Sequence, residues 1–249
     1  QAVFKYGRWL EGAVGTGMPY DEFARKLITA SGSSARNPAA NYFRTAGDTL
    51  DAMETTAQLF LGTRIQCAKC HNHPFERWTQ SDYYGLAAFF NRVERRTTQN
   101  PDEVIMQNAT SGEVLHPADG RVMKPTVPVG TTDENSRDRR VAFADWLTSK
   151  DNPFFARVEV NRIWAQLIGR GIVEPFDDFR DSNPASNAPL LDALAADFVK
   201  HNYDREHIFR VILNSRTYQS ASRPNDLNRE DSQYFSHYVP RRLTAEQLV

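Results

Sequence analysis

The sequence predicts a mainly α-helical protein, built as two packed helical units with a small β-hairpin insertion between them. Three observations carry this expectation. Apolar residues recur at helical spacing in both ends of the chain, and capping or terminating residues bracket those stretches. A polar segment punctuated by Pro101, Pro117, Pro125 and Pro128 separates the two ends. The expected organisation is therefore a first helical part over 1–96, a linker with a hairpin over 97–135, and a second helical part over 136–249.

Each element has its own signal. After Pro19, residues 20–30 place Tyr20, Phe23, Leu27 and Ala30 on one helical face. Residues 48–60 form a second helix with Leu50, Met53 and Ala57 inward, closed by Gly62. Ser81 is the expected cap of a third, over 82–91, whose stripe is Tyr83, Leu86, Ala87 and Phe90. Residues 32–47 are small and polar and read as a surface loop. Within the linker, short alternating patches fall at 103–106, 113–116 and 121–124. The last two flank Pro117-Ala-Asp-Gly120, so a hairpin turning at Asp119-Gly120 is expected, with everything outside the linker helix or loop. A helix over 136–148 buries Val141, Ala144 and Leu147. Asn152-Pro153 opens another that runs to Ile168 and stops at Gly169. Residues 189–201 and 204–216 form an αα-hairpin about Asn202-Tyr203.

Composition narrows the function classes. The chain has 249 residues, 40% hydrophobic and 24% charged, which is ordinary for a globular protein. Thirty basic residues against 31 acidic ones give a net charge of −1, so no nucleic-acid partner is implied. No apolar run is long enough to span a bilayer, and residues 1–10 hold Lys5 and Arg8 in place of a signal-peptide core. The lack of an initiator Met, and an N-capped helix beginning at Thr244 and stopping at Val249, predict a longer parent protein.

The sharpest motif is Cys67-Ala-Lys-Cys70-His71, which contains both cysteines of the chain. Attachment of haem c needs two thiols near one another for thioethers to the porphyrin vinyl groups and an imidazole for the iron; C-x-x-C-H supplies these. On this reading Cys67 and Cys70 bind the cofactor and His71 ligates its iron. A zinc or iron site on Cys67, Cys70, His71 and His73 is the main alternative, though four ligands within seven residues crowd a tetrahedron. A thioredoxin-like pair lacks its βαβ setting, and a pair of free cysteines beside a hydrogen-bonded histidine is the plainest possibility. His73 stands before Pro74 and suits a supporting role or capping. Weak candidates for the distal ligand are Met53 and His116, with Met18, Met106 and Met123 behind them. An open sixth position is the other option.

Beyond the motif, the stretch from Leu61 to Phe75, followed by Trp78-Thr-Gln and by Asp82 to Phe90, resembles the planctomycete cytochrome C domain. Pro19-Tyr-Asp-Glu-Phe23 and Asn37-Pro-Ala-Ala-Asn41 fit the same pattern. The second half resembles the planctomycete-specific PSD domain. Its matching stretches include Asp151-Asn-Pro-Phe-Phe-Ala156, Asn161-Arg-Ile-Trp164, Gly169-Arg-Gly-Ile-Val173, Asp177-Asp-Phe-Arg180, Asn214-Ser-Arg-Thr-Tyr218 and Arg241-Arg-Leu243. The resemblance implies an exported, extracytoplasmic, multi-domain protein but supplies no reaction.

One further cluster, Asp177, Asp178, Arg180, Asp181 and Asn183, could hold calcium. The favoured expectation is structural: an Asp178–Arg180 ion pair that pins the loop, Arg170 nearby, and Asn161 and Arg162 as its anchors. No Ser-His-Asp arrangement, phosphate-cradling glycine loop or H-E-x-x-H occurs. The leading expectation is thus an exported haem-c electron-transfer module whose partners are other domains of its parent chain or a redox protein. A metal-stabilised scaffold is the second reading. An enzyme on an extracellular substrate is the third, with no residue arguing for it.

Overall fold

The structure is a computed structural model that describes residues 2–133, 136–242 and 245. The helix expected to begin at Thr244 falls outside the described residues. Among them are nine α-helices and five short strands, so the chain is mainly α with small β elements. It divides into two compact units, Gln1–Phe155 and Ala156–Val249.

The first unit opens with α1 (Ala2–Gly15), whose signal was hidden because only Ala2 and Ala13 are buried. Helix α2 (Tyr20–Ile28) follows Pro19 and buries Tyr20, Ala24, Leu27 and Ile28. The segment expected as a surface loop is instead ordered. Gly32–Ser33 forms strand β1, Pro38–Ala40 a 3₁₀ turn and Asn41–Thr45 helix α3. Ala39, Ala40, Tyr42 and Phe43 lie in the core, where the small alanines permit close approach. Helix α4 (Thr49–Thr56) is capped by the Asp48 carboxylate, which accepts from Asp51 N at 2.9 Å. It runs into a π turn, Ala57–Leu61, ended by Gly62 at φ 63°, a left-handed conformation that glycine adopts without strain.

Helix α5 (Gln80–Ala87) corrects one expectation. Its cap is Thr79, in a reciprocal box with Asp82, and Ser81 sits inside the first turn. Strands β2 (Val93–Thr97) and β3 (Val104–Asn108) pair antiparallel, and β1 adds to β3, giving the order β1-β3-β2. This small sheet was not expected, since β1 and β2 lie outside the linker. The expected hairpin is present as β4 (Val114–Leu115) and β5 (Val122–Met123), turning with Gly120 at φ 71°. Glu113, at its base, accepts from Arg92 at 2.6 Å and from Arg139 at 2.9 Å; the Arg92 hydrogen bond first, then Arg139, holds its carboxyl below the usual range. Helix α6 (Arg139–Leu147) is capped by Asp138, and Val141, expected inside, points outward at 37% exposure. The unit's aromatic core joins Phe43, Phe89, Phe90, Phe143 and Trp146, with ring centroids 5.3–6.4 Å apart. Burying each such phenylalanine contributes about 2–3 kcal/mol.

Helix α7 (Phe155–Ile168) starts where Asn152 Oδ1 accepts from Phe154 N and Phe155 N, as the sequence indicates, and ends at Gly169 with φ 94°. In the second unit, α8 (Ala188–Lys200) and α9 (Arg205–Leu213) form the expected αα-hairpin, capped by Asn187 and Asp204. Asn202 and Tyr203 both turn at positive φ, 54° and 57°. Leu191, Leu194, Phe198, Tyr203, Ile208 and Ile212 bury the seam between them.

Candidate functional site

The C-x-x-C-H segment lies on the loop between the π turn and α5. Gly62 stops the helix, and Thr63, Ile65 and Ala68 are buried, which pins the loop from inside. Gln66–Lys69 makes one 3₁₀ turn with Cys70 as its C-cap. In such a turn residues three apart eclipse one another, so Cys67 and Cys70 share a face while Ala68 turns inward. Both thiols are exposed and unbridged.

The loop is tied to α5 by polar contacts. Lys69 O accepts from Gln80 Nε2 at 3.0 Å and from Tyr84 Oη at 3.1 Å, and Asn72 Oδ1 accepts from Gln80 N at 2.9 Å. Farther along, His73 N donates to Trp78 O at 2.8 Å, and the His73 imidazole accepts from Phe75 N at 3.3 Å. Trp78 is buried, with the Arg77 guanidinium 5.2 Å from its ring centre. His73 therefore folds the loop.

His71 is exposed, and its Nδ1 donates to Asn72 O at 2.7 Å. A carbonyl only accepts, so this contact uses a proton on Nδ1, the arrangement in which a neutral ring would offer Nε2 to a metal. This is how ligating histidines are commonly oriented. The chemistry of the donor set fits haem c attachment: two free thiols on one face and one imidazole held at Nδ1 by a backbone carbonyl.

The two weak distal candidates stand differently. Met53 is buried at 1% exposure in α4. His116 sits at the hairpin turn, 7% exposed, its Nε2 facing Ser81 Oγ at 3.3 Å and its Nδ1 accepting from Ala118 N at 3.3 Å. One nitrogen serves the hairpin turn and the other faces α5. Ser81, displaced from its expected cap position, also accepts from Arg121 at 2.8 Å.

In the second unit, the 177–183 loop is organised by Asn161. This residue is fully buried on α7; its Nδ2 donates to Val173 O at 2.9 Å and Phe176 O at 3.2 Å, and its Oδ1 accepts from Val173 N at 3.0 Å. Asn161 is the anchor the sequence indicated, while Arg162 donates to the buried Glu159 at 2.6 Å. Arg180 Nε lies 2.7 Å from Asp178 Oδ1, within ion-pair range but off the line of a good hydrogen bond. Arg170 donates to Ser232 O. Asp178 is 4% exposed, so removing its charge leaves Arg180 half-buried without its carboxylate. Asp178→Ala is expected to cost about 2–3 kcal/mol, less than a fully buried pair because Arg180 meets solvent, and a lowered melting temperature checks it.

Among the described residues, one group of three or more His, Cys, Asp or Glu side chains has ligating atoms mutually within 4.8 Å: Asp197, His201 and His207. Neither the Cys67–Cys70–His71–His73 quartet nor the carboxylates of the 177–183 loop are gathered in that way. The sequence reading passed over the trio, although Asp197 and His201 are four residues apart on one helix, a spacing that faces them together.

The class so defined is a mainly helical chain of two units, the first displaying a C-x-x-C-H turn. Residues 1–95 match the family PSCyt2, a protein of unknown function (DUF1549), and residues 139–249 match PSD1, a protein of unknown function (DUF1553). The two matches fall in the order the resemblance indicated. No curated protein and no solved structure matches it. No helix among the described residues is long and apolar enough to cross a membrane.

Proposed function

We propose that the first unit is a haem-c redox module of an exported, multi-domain protein, with haem joined to Cys67 and Cys70. One observation carries the reading. The only two thiols of the chain stand free on one face of a single turn, beside an imidazole whose Nδ1 is already committed to a backbone carbonyl. Haem c, once bound, supplies reversible one-electron chemistry at its iron. The chain's own residues do the rest. Cys67 and Cys70 would hold the porphyrin, the Asn72 carbonyl orients His71, and Lys69 with Gln80 and Tyr84 holds the turn on α5. Exposure of the turn suits electron exchange with another domain of the parent chain or with a separate redox protein. An extracytoplasmic site of action follows from where such attachment takes place.

The test is intact-mass analysis of protein made in a host with cytochrome c maturation. One added haem is expected, lost in Cys67→Ser/Cys70→Ser. An unmodified mass with one bound zinc ion would sink this reading in favour of a protein-only metal site.

A further inference from the structure

The geometry assigns a second metal site, independent of the haem reading, to Asp197, His201 and His207 in the α8–α9 hairpin: a three-ligand site for a divalent zinc-class ion. The argument begins with the local backbone. His201 is the C-cap of α8, and its N–H and its Nδ1 both reach Asp197 O, at 3.0 and 2.9 Å. Asn202 and Tyr203 reverse the chain in two residues at positive φ. Asp204 then caps α9 and accepts from His207 N at 3.2 Å, which fixes His207 in the first turn of that helix. A turn this short brings the end of one helix and the start of the next to one place.

The side chains converge accordingly. His207 Nε2 lies 2.6 Å from Asp197 Oδ2, and His201 Nδ1 lies 3.2 Å from Asp197 Oδ1. The two imidazoles stack with centroids 3.7 Å apart and planes at 21°. Both rings thus bring a nitrogen to the same carboxylate, and the three side chains have ligating atoms within 4.8 Å of one another. A divalent cation placed between them would take one ligand atom from each of the three groups. Each ligating ring then carries its proton on its other nitrogen, so two neutral imidazoles and one carboxylate surround the ion. Reaching that state needs the stacked rings to rotate until their lone pairs converge. Their exposure, 40% for His201 and 27% for His207, leaves room for this and admits the ion from solvent.

Two nitrogens and one oxygen suit zinc among the available divalent ions, and a solvent-facing fourth position suits water. A calcium site would need more oxygen ligands than the trio supplies. The ion would clip the last turn of α8 to the first turn of α9.

Titration of the full-length Cys67→Ser/Cys70→Ser chain with Zn²⁺ alone tests this, because no thiolate then competes. One equivalent is expected to bind saturably and to raise the melting temperature. Acid should weaken the binding, since protons compete for the imidazoles. His201→Ala and His207→Ala should each abolish it while keeping the circular dichroism of the parent. Should either variant fail to fold, histidine NMR resonances of the folded parent decide: Zn²⁺ must shift those of His201 and His207 and spare His116. Absence of saturable binding, binding retained in a folded His201→Ala or His207→Ala chain, or a shift at other histidines overturns the assignment.

Discussion

Arg140→Ala is expected to destabilise the first unit by about 3–5 kcal/mol, the range for removing one partner of a buried ion pair. Arg140 is 1% exposed, which is rare for an arginine, and all its contacts account for that. Its Nε and one terminal nitrogen hold both oxygens of Asp138, at 3.0 and 2.7 Å, a two-point grip that carboxylates favour. The other terminal nitrogen donates to Ala30 O at 2.8 Å, just past the end of α2. The guanidinium also sits 5.3 Å from the centre of the Phe43 ring. One side chain thus joins the start of α6, the end of α2 and the aromatic core. Truncation leaves Asp138 without its cation, Ala30 O without its donor and a cavity beside Phe43. Urea unfolding followed by circular dichroism measures the loss. A double-mutant cycle with Asp138→Asn should show the two losses to be less than additive, because the pair is shared. An Arg140→Ala midpoint equal to that of the parent would contradict the account.

Much of the fold was legible where local chemistry agreed with burial. The α8–α9 hairpin could be read because Asn187, Asp204 and a clear apolar stripe all point to it. The β4–β5 turn could be read because Gly120 supplies a positive φ between two alternating patches. The small β1-β3-β2 sheet could not. In β2 only Val93 is buried, and Glu94, Arg95 and Arg96 face solvent in succession, so the strand carries no alternation; β1 is two residues long. Both strands owe their existence to pairing with β3, and for β1 that partner lies far along the chain, a long-range fact that local sequence does not record. Ser81 is the right residue type for a cap but stands inside the first turn. Thr79 wins because Asp82 lies three residues on and returns its hydrogen bond. The candidate sites divide in the same way. C-x-x-C-H is contiguous and readable, whereas the Asp197–His201–His207 trio needs a turn to bring His207 back.

Gly171→Ala should cost the second unit about 3 kcal/mol or more, since the new methyl meets backbone that cannot yield cheaply. A Cβ at this position would overlap Val173 O and stand 3.1 Å from both Val173 C and Asn161 Nδ2. Gly171 is buried, and its N–H donates to Glu174 Oε2 at 2.7 Å, so the segment is held from its other side as well. The Val173 carbonyl is the acceptor for Asn161, and Ile172 O accepts from both Ser186 N and Ser186 Oγ. Any displacement that relieves the clash therefore pulls apart the hydrogen bonds that order residues 171–186, and buried groups that lose partners add their own cost. Gly12→Ala is the control. Gly12 lies inside α1 with nothing within 4 Å of its would-be Cβ, so alanine there should be neutral or stabilising by up to about 1 kcal/mol. Asn161→Asp separates the clash from the network, because it keeps the volume but loses both amide donors. It should approach the Gly171→Ala loss while creating no clash. If Gly171→Ala instead unfolds at the same urea concentration as Gly12→Ala, the close approach at Val173 does not constrain the loop.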